Sequence, residues 1–267
     1  MSLLSITDTR YFSQYQQACK PNPAQLWQQF CNLEEYPTVA FARQSSAVFS
    51  SQIEGVEIDL NFYLNSRLTN AQGIKAETRR TLDWVRALED GYAFAETHVL
   101  SERNFLKVHF MISKFMDDHR ERGVYRRVPV VIGSRTRIVY RALPPEEVAP
   151  TMEVFWRDMK TLRKQTLSPE AALYHASLIH LVFEKIHPFA DGNGRIGRLL
   201  EKWFLAQHCG KIAWKVSSEA YYEQMRPAYY ANLRALGASA DVLNFDHCLP
   251  FLQMLPEAIR SEIADLS

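Results

Sequence analysis

Residues 187–198 read HPFADGNGRIGR. Within twelve residues stand an imidazole, a carboxylate, a glycine turn and two guanidiniums. These are the parts of a site for phosphate chemistry. Pro188 disfavours helical geometry at His187, so a helix arriving from upstream must end there and present the ring. The glycines of Asp191-Gly192-Asn193-Gly194 allow positive φ and let a ligand approach the backbone closely. A helix starting about Arg195 would turn its free N–H groups back toward that bend, making a nest for an anion. Arg195 and Arg198 lie on one face of its first turn, where cations oppose the macrodipole, and an external negative charge would answer them. Asp191 is placed to hold Mg²⁺, whose usual site is one or two carboxylates plus substrate phosphates. His187, with an ordinary pKa of ~6.5, would serve as a general base at neutral pH. Taken singly the pieces are weak, since glycine-rich turns are common and a His–Pro pair at a helix end is more often structural. Neither GxxxxGK[ST] nor HExxH is present, which disfavours P-loop and zincin chemistry.

The elements that must position these groups are mostly helical. Apolar character is near-continuous over 169–186, which predicts a buried helix delivering His187. Further helices are expected from about residue 25, over 39–53 with Gly55 as a stop, 59–68, 77–96, from Ser101 to about Asp118, 146–163, 195–207, 218–236 and 245–265. Residues 71–73 read as a connector. "RRVPVVIGSRTRIVYRALPP" is rich in β-branched residues around a turn, and reads as a short hairpin over 126–141 closed by Pro144 and Pro145. No composition break forces a second domain. The organisation expected is an N-terminal helical region, 1–76, carrying the helix 39–54, followed by a core, 77–267.

A chain of 267 residues that is 47% hydrophobic and 23% charged can bury a sizeable core. Its net charge of +1 favours neither nucleic acid nor membrane. Cys19, Cys31, Cys209 and Cys248 show no CxxC pairing, so no zinc knuckle or redox dithiol is indicated. No apolar run is long enough to span a bilayer, and no signal sequence is evident. A reduced, cytoplasmic protein is the expectation.

The stretch 187–198 resembles the Fic family pattern H-x-F-x-(D/E)-G-N-G-R-x-x-R at all eight defined positions. "FEKIHPF" before it, the hairpin, which is similar to the Fic flap, and "YYANL" at 229–233 extend the resemblance over most of the chain from residue 77. It implies an all-α Fic fold with a hairpin flap, and a protein adenylyltransferase that moves AMP from ATP to a Ser, Thr or Tyr hydroxyl. On this reading His187 takes the proton of the hydroxyl and Asp191 binds Mg²⁺. Asn193 and the amides of Gly192, Gly194 and Arg195 stabilise the α-phosphate, while Arg195 and above all Arg198 hold the distal phosphates. Ile132 and Gly133 of the flap touch acceptor or nucleotide, and Tyr229 and Tyr230 line the adenine pocket, with plain core packing the alternative for the two tyrosines. The partners implied are ATP, a protein docked on the flap by main-chain pairing, and the chain itself as an acceptor. A homodimer is also open.

"SSQIEG" at 50–55 fits (S/T)-x-x-x-E-(G/N), the inhibitory motif that the family carries in a helix. Glu54 would pair with Arg198 and take the cation that the γ-phosphate needs, with Ser50 as the other motif residue. Removal of AMP, transfer of another phosphate-containing group, and a catalytically silent binding module are the competing functions. Arg122, Arg126, Arg127, Arg135, Arg137 and Arg141 crowd the hairpin and read first as solvated flap charges, then as contacts to an acidic target, with a nucleic-acid patch the least favoured. His175, His180 and Glu184 read as core or supporting groups and not metal ligands. His98, His109, His119, His208 and His247 lack ligand spacing, and Trp84, Trp156, Trp203 and Trp214 read as packing residues.

Overall fold

Helical spacing of apolar residues dominates the chain, and helices dominate the computed structural model, which describes residues 3–68, 75–115, 121–134 and 137–266. In chain order come α1 (Phe12–Ala18), α2 (Pro23–Cys31), α3 (Val39–Ile53), α4 (Leu60–Leu68), α5 (Ala76–Thr97) and α6 (Glu102–Ile112). A two-stranded antiparallel sheet follows, β1 (Val131–Ser134) with β2 (Arg137–Arg141). Then come α7 (Pro145–Leu162), α8 (Pro169–Ile186), α9 (Asn193–Cys209), α10 (Ser218–Gln224), α11 (Arg226–Ala235), α12 (Leu249–Leu252) and α13 (Met254–Leu266). The all-helical fold with one small hairpin is therefore the one expected. The end expected for α6 at Asp118, His119, the connector 71–73 and Arg135 lie outside the described residues.

The axis of the molecule is α8. Ser168 caps it by accepting from the Ala171 amide, Pro169 occupies its first turn, and every residue over 172–186 is buried. A helix apolar on all sides belongs inside, with other helices around it. Its neighbour α9 packs along it, and α3 lies across α5, α9 and α10. The first residues are tied down on α7 and α8: His175 Nδ1 meets Ile6 O at 2.9 Å, the Tyr174 hydroxyl donates to Asp8 O, and Ser5 donates to Asp158. The hairpin pairs Val131 with Arg141 and Ile132 with Tyr140, then shifts register at a bulge before Gly133. Tyr140 anchors it by donating to Lys185 O at 2.7 Å.

Two expected helices prove divided. The segment 218–236 breaks at Met225, because Pro227 at the start of α11 lacks the amide that a continuous helix needs. The segment 245–265 is a 3₁₀ turn, Phe245–His247, then α12 and α13, with Pro250 and Pro256 near the starts of the two helices. Helix α1 had no reading in the sequence. Among the described residues no helix is long and apolar enough to cross a membrane. All four cysteines are free thiols.

Candidate active site

Helix α8 stops at His187, which takes a left-handed conformation, φ 52° and ψ 59°. It is the one non-glycine residue with positive φ among those described. A side chain there is strained by roughly 1–3 kcal/mol and persists only if its surroundings hold it. They do. The His187 amide donates to Phe183 O at 2.9 Å, and its carbonyl accepts from Arg126 Nε at 2.7 Å. Arg126 also donates to Val128 O and Leu143 O, and its own amide donates to Pro188 O. It is 1% exposed. Arg126 is therefore no solvated flap charge. It joins the two feet of the hairpin to the end of α8, and the sequence reading of it is corrected.

Burial pushes the His187 imidazole down to about 4, with the charge of Arg126 acting the same way and the main chain of Glu184 and the charges of Glu54 and Asp191 opposing. The ordinary pKa assumed from sequence does not hold, and the ring is neutral through the physiological range. Its Nδ1 is buried without a partner.

The turn after Pro188 is built by Asn193. The Asn193 side chain accepts from the Phe189 amide at 2.9 Å and donates to the Phe189 carbonyl at 2.8 Å. Both heteroatoms hold the loop in shape, and Nδ2 has a second N–H beyond the one given to Phe189 O. Gly192 supplies the left-handed residue, φ 82°, at the start of α9. His109 on α6 stacks on Phe189 at 3.6 Å between centroids, accepts at Nδ1 from the Gly123 amide, and meets Asp191 O through Nε2 at 3.1 Å. Burial lowers it to about 4, so it is neutral and carries its proton on Nε2. Lying 82 residues before Asp191, His109 carries no local signal of this contact. The Asp191 carboxylate is 61% exposed and engages Arg195 at 3.3 Å.

Arg198, fully buried, is surrounded by acceptors from α3. Its Nε donates to Ser50 Oγ at 2.9 Å, and its Nη2 donates to Ser50 O at 2.9 Å and to Glu54 Oε1 at 2.8 Å. Tyr229 OH lies 3.4 Å from Nη1. Ser50 and Glu54, one helical turn apart, thus grip one guanidinium. Burial alone would raise the Glu54 carboxyl, but the charge and hydrogen bond of Arg198 outweigh it and hold Glu54 below the usual carboxylate range. The same carboxylate covers the glycine bend: a Cβ on Gly194 would clash with Glu54 Oε1. Tyr230 fastens the end of α3 by donating to Ile53 O at 3.0 Å.

A cavity of about 210 Å³ brings together Glu54, Ile132, His187, Gly194, Tyr229 and Tyr230, with Tyr140, Glu184 and Lys185 also on its wall. Gly133, one residue beyond Ile132 in β1, does not line it. A larger hollow, about 680 Å³, lies between Phe41 of α3, Tyr221 of α10 and Glu262 of α13 and contains none of these groups. Among the described residues no cluster of three or more His, Cys, Asp or Glu could hold a metal by itself. A cation here would have Asp191 as its protein carboxylate and would need phosphate oxygens to complete its shell.

Residues 99–205 match the Fic/DOC family. A Fido domain-containing protein of Dictyostelium discoideum is 33% identical over 132 residues, 48% of this chain and 87% of that protein. The chain belongs to the Fic/DOC family. Protein adenylyltransferase Fic of Drosophila melanogaster is 32% identical over 138 residues, and this Fic chain matches only 25% of that longer protein. A fragment of Fic-1 from C. elegans superposes with a TM-score of 0.71 at 18% identity, covering 97% of this chain and 73% of the fragment. A Fic family protein from Desulfovibrio desulfuricans gives 0.67 at 24% identity, covering 85% of this chain and 66% of that one. Such likenesses carry the Fic fold.

Proposed function

We propose that this chain is a protein adenylyltransferase that transfers AMP from ATP to a Ser, Thr or Tyr hydroxyl, and that Glu54 holds it in check. The observation that carries the reading is the Glu54 carboxylate, seated on Arg198 and against Gly194 at the mouth of the glycine bend. An acidic group in that place occupies both the cation and the space that a terminal phosphate would take.

In the transfer step the target hydroxyl loses its proton to His187, and its oxygen attacks the α-phosphorus. The bond from that phosphorus to the bridging oxygen breaks, and pyrophosphate leaves. The backbone N–H groups at the start of α9 meet the charge growing on the α-phosphate. Arg198, once free of Glu54, holds the γ-phosphate, and Arg195 assists. Asp191 would hold Mg²⁺ together with phosphate oxygens, and the ion supplies charge neutralisation when bound. The target segment would pair along the flap near Ile132, by main-chain hydrogen bonds that set register. Tyr229 and Tyr230, which line the cavity, would lie beside the adenine.

With Glu54 in place, ATP that enters would be displaced from the in-line geometry, and a shift of about 1 Å costs on the order of 10²-fold in rate. The test is incubation of the wild type and Glu54→Gly with ATP labelled at the α- or the γ-phosphate. The α-label should reach protein, including the chain itself, far more in the variant, and His187→Ala should abolish it. Label from the γ-phosphate alone would mean phosphoryl transfer, and equal α-labelling of wild type and Glu54→Gly would remove the brake.

A further inference from the structure

Two buried polar side chains lie close together at the catalytic ring without a hydrogen bond between them. His187 Nδ1 has no side-chain partner, the main chain of Glu184 one turn earlier on α8 favouring its charged form, and Glu184 Oε1 has no partner. Glu184 Oε2 stands 3.9 Å from that Nδ1. An unmade hydrogen bond to a buried group costs about 1–3 kcal/mol, and a second state in which the bond is made accounts for such a pair. Glu184 is wedged between α8 and the second turn of α9, where a Cβ on Gly197 would meet its Oε1 at 2.7 Å. Glycine at 197 therefore leaves room for this carboxyl beside the ring. Both groups line the 210 Å³ cavity.

We infer that Glu184 is the positioning residue of His187: in the working enzyme its carboxylate accepts a hydrogen bond from His187 Nδ1–H, which leaves Nε2 bare to take the target proton and steadies the imidazolium that results. This rests on the transfer reading above. A small side-chain rotation closes 3.9 Å to hydrogen-bond distance, and an acid that orients and charges a histidine in this way is a recurring arrangement of general bases. The groups around the pair fit the task. Burial raises the Glu184 carboxyl, His180 and Arg198 lower it, and Glu54 raises it. Departure of Glu54 removes a negative charge that favours protonated Glu184, so release of the brake also readies the carboxylate. Around the ring, Arg126 from before the flap disfavours the imidazolium, while Glu54 and Asp191 favour it.

The experiment compares Glu54→Gly with Glu54→Gly/Glu184→Gln and Glu54→Gly/Glu184→Asp. The glutamine variant should lower kcat on the order of tenfold or more with KM for ATP unchanged. It should also move the acid limb of the kcat profile to lower pH, because loss of the carboxylate lowers the pKa of His187. Aspartate should restore part of the rate. Independently of turnover, the imidazole resonances of His187 should titrate lower in Glu184→Gln than in the wild type, by on the order of one unit, with no nucleotide present. If kcat, the acid limb and the His187 titration all stay put, Glu184 is only a packing residue. Should Glu54→Gly itself move no AMP, the transfer reading fails, and the titration alone decides the pair: a lower value in Glu184→Gln upholds it and an unchanged value overturns it.

Discussion

Helix α3 is held against α9 by two charged centres, and they are built differently. Ser46, Ser50 and Glu54 succeed one another by one turn on α3, facing Arg198 and Lys202, also one turn apart, on α9. At the Lys202 centre the acid is Glu219 of α10, and both partners are buried, 2% and 0% exposed. Glu219 accepts from Lys202 at 2.5 Å, from Ser46 at 2.9 Å and from Tyr92 of α5 at 2.7 Å. There α3 contributes one hydroxyl to a knot that other helices complete. At the Arg198 centre the acid belongs to α3 itself, stands at its C-terminal end, and is 32% exposed. The same chemistry makes an enclosed joint at Lys202, and at Arg198 a contact whose acid sits at a helix end within reach of water, as the proposed brake requires.

The comparison can be broken first at the joint. Lys202→Met leaves Glu219 buried without its cation, and should cost about 3–5 kcal/mol in a denaturant-unfolding experiment. A smaller loss than that from Glu54→Gly would reverse the roles given to the two centres. Next in size, Glu54→Gly should raise AMP transfer on the order of 10²-fold, about 2.7 kcal/mol on the barrier, while the unfolding midpoint moves less than for Lys202→Met. Tyr230→Phe removes the hydrogen bond to Ile53 O and should loosen the end of α3 by about 1 kcal/mol, seen as a several-fold rise in basal transfer. The smallest effect is expected from pH. A carboxyl whose folded pKa is depressed contributes its stability above the unfolded pKa and loses it as pH falls through the folded one. Glu54 is such a group. The ratio of wild-type to Glu54→Gly activity should therefore hold steady from about pH 8 to pH 6, and a rise in that ratio across this range would show that Glu54 titrates higher than Arg198 allows.

What the sequence disclosed followed the range of its signals. Ser168, Pro169 and Pro188 are local punctuation, and α8 has the limits they imply. The pairing of Glu54 with Arg198 came through the family resemblance, since no spacing rule joins positions so far apart. Arg126 sits in a run of arginines and nothing near it marks it as buried; only the fold brings Val128 O, Leu143 O and His187 O around it. His109 was hidden for the same reason, its partners Gly123 and Asp191 being brought to it by the fold. The break at Met225 is different, because Pro227 was a visible signal outweighed by the apolar pattern around it.

The guanidinium of Arg126 ties the carbonyl of His187 to carbonyls before and after the hairpin. Ring and hairpin are therefore mounted on one bracket. On the transfer proposal, a peptide laid along the strands would meet the imidazole at a distance fixed by the bracket rather than by its own side chains, and new strand sequences would alter which peptides are gripped while leaving the chemistry in register.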